Sequence, residues 1–170
     1  MFDNVTMLIF NNFVKILLLM LVLASQSYAN AIKYSNSSVN ALIDANIEPD
    51  GVVFELVEYK TDAWDWAAPK IKQLIGQLRH KYPNLDIAII SHGNEQFQLT
   101  RKNLAKNQNT VFLLNNLSKQ GVGIHVCGVN SSWNGVSEDA YIDIVDVAVS
   151  GPAKLNDYIN LGYVPIILNR

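Results

Sequence analysis

Cys127, His92 and His125 are the side chains of this 170-residue sequence best suited to carry out a reaction. Cys127 is the one cysteine, so no internal disulfide is open to it. It closes the run Gly121-Val122-Gly123-Ile124-His125-Val126-Cys127 and is followed by Gly128. A lone thiol is an inert core residue, an intermolecular link or a nucleophile, and the nucleophile is its thiolate form. His125 lies two residues before it, so in a strand both side chains point to one side of the sheet. His92 stands in Ser91-His92-Gly93, after another apolar run. Imidazole titrates near neutrality, so either histidine is a suitable acceptor for the thiol proton. The residues alone leave a plainer reading open: Cys127 as a small buried hydrophobe and His125 as a satisfied core histidine.

The same three side chains are also ligand types that suit zinc or copper. No His-x3-His or Cys-x2-Cys spacing supports a metal, and His80 stands apart near the end of a helical segment. Neither a metal nor a cofactor is expected. Gly-x-Gly-x-x-Gly, phosphate-loop and Gly-x-Ser-x-Gly motifs are all missing. Trp133 follows Cys127 in a loop-like stretch, where it either covers the thiol or anchors the surface. Trp64 and Trp66 are read as core or subunit packing.

The elements that hold these residues alternate. Val52–Val57 reads as a strand. Asp62 is placed to cap a helix whose apolar face is Trp64, Ala68, Ile71, Ile75, Leu78 and Tyr82, ending before Pro83. Leu85–Ile90 is a second strand. A polar stretch, 94–109, follows it. Val111, Leu114 and Leu117 mark a second helix, closed by Gly121. Val122–Val126 is a third strand, 128–135 a loop, and Val136–Ile142 a short helix. Ile144–Val149 is a fourth strand. Ser150-Gly151-Pro152 opens a last helix, with proline where its missing N–H is harmless, and Tyr163–Leu168 is a fifth strand. This alternation predicts an α/β fold, a three-layer α/β/α domain around a parallel sheet. Ligands of such sheets bind beyond the carboxyl ends of the strands, where Ser91-His92-Gly93, Cys127-Gly128 and Ser150-Gly151 fall.

The N-terminus reads as an export signal. Lys15 precedes the apolar run Ile16–Ala24, too short for the roughly 20 residues that span a bilayer. Ser27-Tyr28-Ala29 then supplies small residues for cleavage after Ala29. The expected organisation is a cleaved signal over 1–29, a polar leader over 30–50 and one domain over 51–170, located in the periplasm. The net charge of −2, without a basic block, gives nucleic acid no electrostatic footprint. No membrane association is expected once the signal is gone.

Leu85-Asp86-Ile87-Ala88-Ile89-Ile90-Ser91-His92-Gly93, His125-Val126-Cys127-Gly128 and Val147-Ala148-Val149-Ser150-Gly151-Pro152-Ala153, in this order, resemble the DsrE/DsrF-like sulfur-relay family in its exported branch. Leu161-Gly162-Tyr163 and the final strand also fit. The resemblance covers roughly residues 51 to 170. It implies a YchN-like fold with a five-stranded, mainly parallel sheet, and homotrimers or homohexamers. It also implies a persulfide on the cysteine that Cys127 matches. The function expected is periplasmic handling of sulfane sulfur through Cys127, with His92 moving the proton and His125 tuning or orienting the thiol. The partners would be a small sulfur compound or a thiol protein. The alternative is a non-enzymatic oligomeric binding module with a buried cysteine.

Overall fold

The computed structural model describes residues 36–168. The signal expected over 1–29 lies outside them. Five strands form one sheet: β1 (Gly51–Leu56), β2 (Ile87–Ser91), β3 (Gly123–Cys127), β4 (Asp146–Ala148) and β5 (Tyr163–Leu168). The helices are α1 (Asn36–Ala45), α2 (Trp64–Lys81), α3 (Gln108–Lys119), α4 (Gly128–Trp133) and α5 (Gly151–Asn160). The order across the sheet is β4-β3-β2-β1-β5, and every pairing is parallel. The α/β/α reading is correct, and the strand order is new information.

That order explains where the helices lie. From β1 to β4 the chain advances in one direction, then jumps back past β1 to place β5 at the far edge. Right-handed crossovers put the connecting helix on opposite faces when the direction of travel reverses. The face carrying Val52, Phe54, Leu56, Ile89, Ile124, Val126 and Ile166 is therefore buried in one large core with α2 and α3. The opposite face buries only Val53, Ala88 and Ile90, packed against Leu155, Tyr158 and Tyr163. By alternation Glu55, His125 and Cys127 belong to this thinner face.

The helix face read from Trp64, Ala68, Ile71, Ile75 and Leu78 is fully or nearly fully buried. Its start differs from expectation. The helix begins at Trp64, and the Trp64 N–H is received by Oε1 of Gln98, 3.1 Å away, so Gln98 replaces the predicted Asp62 cap. The polar leader also contains structure: α1 buries Val39, and Leu42 and Ile43 pack on the core. These residues recur at i, i+3 and i+4, a helical stripe hidden among Ser and Asn.

Residues 94–106 form two short 3-10 segments, Asn94–Leu99 and Arg101–Lys106. The predicted 136–142 helix shrinks to a single turn, Glu138–Ala140. The fourth strand is shorter than its apolar run. Ile142 N–H is bonded to Leu99 O, and Val145 N–H turns back to Ile142 O, so pairing begins only at Asp146. The predicted loop at 128–135 is instead largely α4, with Cys127 at its N-cap. Among the described residues, no helix is long and apolar enough to cross a membrane.

Candidate functional site

Four chain segments meet beyond the carboxyl ends of β1, β2 and β3. They enclose a cleft of about 370 Å³ whose lining includes Glu58, Tyr59, His92, Cys127, Asn130 and Trp133. Cys127 is 5 % exposed. Its backbone is gripped on both sides by the fully buried Gln96. The Cys127 N–H donates to Gln96 Oε1 at 2.9 Å, and Gln96 Nε2 donates to Cys127 O at 3.3 Å. Ser131 Oγ donates to the same carbonyl at 2.9 Å. The Asn130 N–H points at Cys127 Sγ from 3.4 Å. An N–H so placed favours negative charge on the atom it faces.

His92 and Cys127 both border Gly151, the first residue of α5, and both line the cleft. A Cβ placed on Gly151 would lie 2.8 Å from His92 Cγ and 3.3 Å from Cys127 Cβ. A larger residue would collide with His92, so glycine is what lets the start of α5 pack against both residues. His92 Nε2 lies 2.7 Å from Glu55 Oε1, a pair about six-sevenths buried on each side. A carboxylate only accepts, so in the neutral ring Nε2 carries the proton and Nδ1 keeps its lone pair. Thiol, imidazole and carboxylate are the group types of a nucleophile, a base and the residue that orients the base, and the imidazole–carboxylate link is the one formed here.

The loop bearing His92 is itself fixed. Asn130 Nδ2 donates to His92 O at 3.2 Å and to Gly93 O at 2.9 Å. The fully buried Glu95 takes Ser91 Oγ at 2.8 Å, Gly93 N–H at 2.9 Å and Glu58 N–H at 2.7 Å. Burial raises the Glu95 carboxyl above its ordinary value, against the lowering effect of those donors. Gly93 is needed for closeness, since a Cβ there would sit 2.5 Å from both Glu58 N and O.

His125 is not brought to the thiol. Its Nδ1 lies 2.8 Å from Asp146 Oδ2 and its Nε2 lies 2.7 Å from Tyr158 Oη. Nε2 would be 3.1 Å from a Cβ on Gly123, so the ring leans toward the start of β3, away from Cys127. Burial pushes His125 below its ordinary 6.5; Lys154 pushes the same way, and the Asp146 hydrogen bond and charge oppose both. The set His92, His125 and Cys127 therefore does not converge as metal ligands. Among the described residues no other group of three His, Cys, Asp or Glu side chains is gathered to hold one.

The His125 shift has a sign that can be checked. The folded value lies below the unfolded one, so the unfolded chain takes a proton first as pH falls. Its contribution is present above pH 6.5 and is lost as pH falls through the folded value. Thermal melts from pH 7.5 to 5 are expected to show the wild-type midpoint falling below 6.5, and a flatter curve for His125→Gln. Equal slopes in the two proteins would refute the assignment.

Sequence reasoning missed Glu55, Glu95, Gln96 and Asn130. Glu55 had a signal, a lone carboxylate inside an apolar strand. The other three lay in polar stretches without a period. Trp133 ends α4, 82 % exposed, at the mouth of the cleft.

The sequence profile of the DsrE/DsrF-like family matches residues 19–166. This chain belongs to the DsrE/DsrF-like family. Membership suggests a sulfur-relay role. The DsrE/DsrF-like chain shares its fold with a protein of unknown function, MTH1491, from Methanobacterium thermoautotrophicum. The identity is 20 %, over 69 % of this chain and 97 % of that one, with a TM-score of 0.57. The YchN protein of E. coli also aligns, at 16 % identity over 72 % of this chain and all of its own, with a TM-score of 0.49. A search of curated proteins finds no match.

Proposed function

We propose that this chain is a sulfur carrier that takes sulfane sulfur onto Cys127 as a persulfide and hands it to another thiol. The observation that supports this best is one cleft lined both by the thiol and by an imidazole held by a carboxylate. In this reading His92 Nδ1 receives the thiol proton, Glu55 fixes the ring, and Asn130 N–H faces the resulting charge on Sγ. His125 acts at a distance, joining β3 to β4 through Asp146 and to α5 through Tyr158, so it positions the strand that carries the thiol. The chemistry is that of a carrier, with no resident cofactor invoked.

The test is mass spectrometry of the full chain after incubation with inorganic polysulfide. The Cys127 peptide is expected to gain about 32 Da, one sulfur atom, and Cys127→Ser to gain nothing. A wild-type protein that gains this adduct neither from polysulfide nor from a neutral alkyl persulfide would overturn the carrier reading. One observation favours the second reading, a binding module with an inert cysteine: Cys127 is only 5 % exposed. Under that reading a small alkylating agent leaves the native thiol untouched.

We also place the protein in the periplasm, after cleavage of the 1–29 signal, with residues 51–170 as its main domain and 30–50 as the leader that contains α1. A periplasmic fraction yielding mature protein that starts at Asn30 is the expected result. Self-association as a trimer or hexamer is proposed from the resemblance. Light scattering on the purified protein reports it directly.

A further inference from the structure

Among the described residues, no lysine or arginine lines the cleft around Cys127. The one full charge in that lining is acidic, Glu58, while Glu55 and the buried Glu95 lie just behind it, bonded to His92 and to the Glu58 N–H. Lys60, next in the chain after Tyr59, is outside the lining. The N-terminus of α5 opens beside the cleft, but Pro152 in its first turn, one of the lining residues, has no N–H to offer. Asn130 N–H is already directed at Sγ. A doubly charged donor entering here would lose its hydration and meet carboxylates, with no cation to replace the water.

The mouth has the opposite character. Tyr59 is 90 % exposed and Trp133 is 82 % exposed, and Val57, also in the lining, is 47 % exposed. Large aromatic surfaces left in water beside a cleft mark a place where apolar matter docks. Divalent sulfur is polarizable and makes favourable contacts with aromatic rings.

We infer that the sulfane sulfur reaching Cys127 arrives on an uncharged, apolar organic persulfide and not on an inorganic oxyanion. This rests on the carrier reading above and specifies its donor. The Cys127 thiol gives its proton to His92, and Sγ attacks the outer sulfur of R–S–SH. The Sγ–S bond forms as the donor S–S bond breaks. The leaving R–S− takes the proton back from His92 and departs as R–SH. Cys127 is left as a persulfide, and no outside oxidant or reductant is consumed.

The experiment compares loading of the full chain by a neutral alkyl persulfide and by thiosulfate, followed by mass spectrometry of the Cys127 peptide. The alkyl persulfide is expected to load at least about tenfold faster. Tyr59→Ser combined with Trp133→Ser is expected to slow it roughly threefold to tenfold, and to leave thiosulfate unaffected. Both residues are exposed, so the fold is not at stake. Thiosulfate loading as fast as the alkyl persulfide, or a double variant with wild-type rates, would overturn this inference alone. No loading by either donor would overturn it together with the carrier reading.

Discussion

His92→Ala is expected to slow sulfur loading of Cys127 by about 10²–10⁴-fold, the usual loss when a positioned general base is removed. His92 borders the cleft and among the described residues its ring bonds Glu55 alone, so circular dichroism and the melting midpoint should change little. The readout that separates proton transfer from packing is the pH profile. Removing the imidazole should change the shape of that profile. The alanine variant should climb with pH, because hydroxide then has to do what the imidazole did. Glu55→Gln should reproduce much of the loss, since an amide can donate to Nε2 and fix the wrong tautomer. Wild-type rates in His92→Ala would remove the imidazole from the mechanism and leave a thiol that reacts unaided.

The second large effect concerns stability. Glu95→Ala is expected to destabilise the protein by about 2 kcal/mol or more, because two partly buried backbone N–H groups, those of Glu58 and Gly93, lose their carboxylate acceptor. Glu95→Gln should cost less: one amide oxygen still serves Ser91 and Gly93, while the NH2 group faces the Glu58 N–H. Denaturant melts measure both. The pH dependence adds a check. Burial holds the Glu95 carboxyl above 4.5, so the native state keeps its proton after the unfolded chain has released it. Stability from this group is therefore fully present below pH 4.5 and falls as pH rises through the folded value. Glu95→Gln should lack that decline. An alanine variant as stable as wild type would mean that the loop before Asn94 is held by something other than this carboxylate.

The periodic parts of the chain were legible because period is a property of neighbours in sequence. The stripe from Trp64 to Leu78 and the runs that became β1, β2 and β3 state their faces outright. Strand order did not follow, since nothing in one strand names its partner. Cys127 and His92 were visible because strand ends are where this fold class builds sites. Their supports were not. Gln96 matters only because β3 ends within its reach, and Asn130 because α4 turns it back onto the His92 loop. The pairing imagined between His125 and Cys127 followed from strand alternation. Alternation places both on one face but says nothing about which way along the strand a ring leans. Asp146 and Tyr158 decide that, and they come from β4 and α5.

The position of β5 bears on how the chain assembles. β1 emerges early and is almost wholly apolar, yet one of its two edges is covered only by the last strand in sequence, in register from Gly51 with Tyr163 to Leu56 with Leu168. Until α5 has crossed over, Val52-Val53-Phe54 offers open main-chain groups to any other extended segment, the kind of exposure that seeds aggregation. Once docked, β5 exchanges that edge for one interrupted by Pro165, which has no N–H to offer a further strand. Dependence of the β1 edge on β5 is therefore built into the connectivity that also places the cysteine.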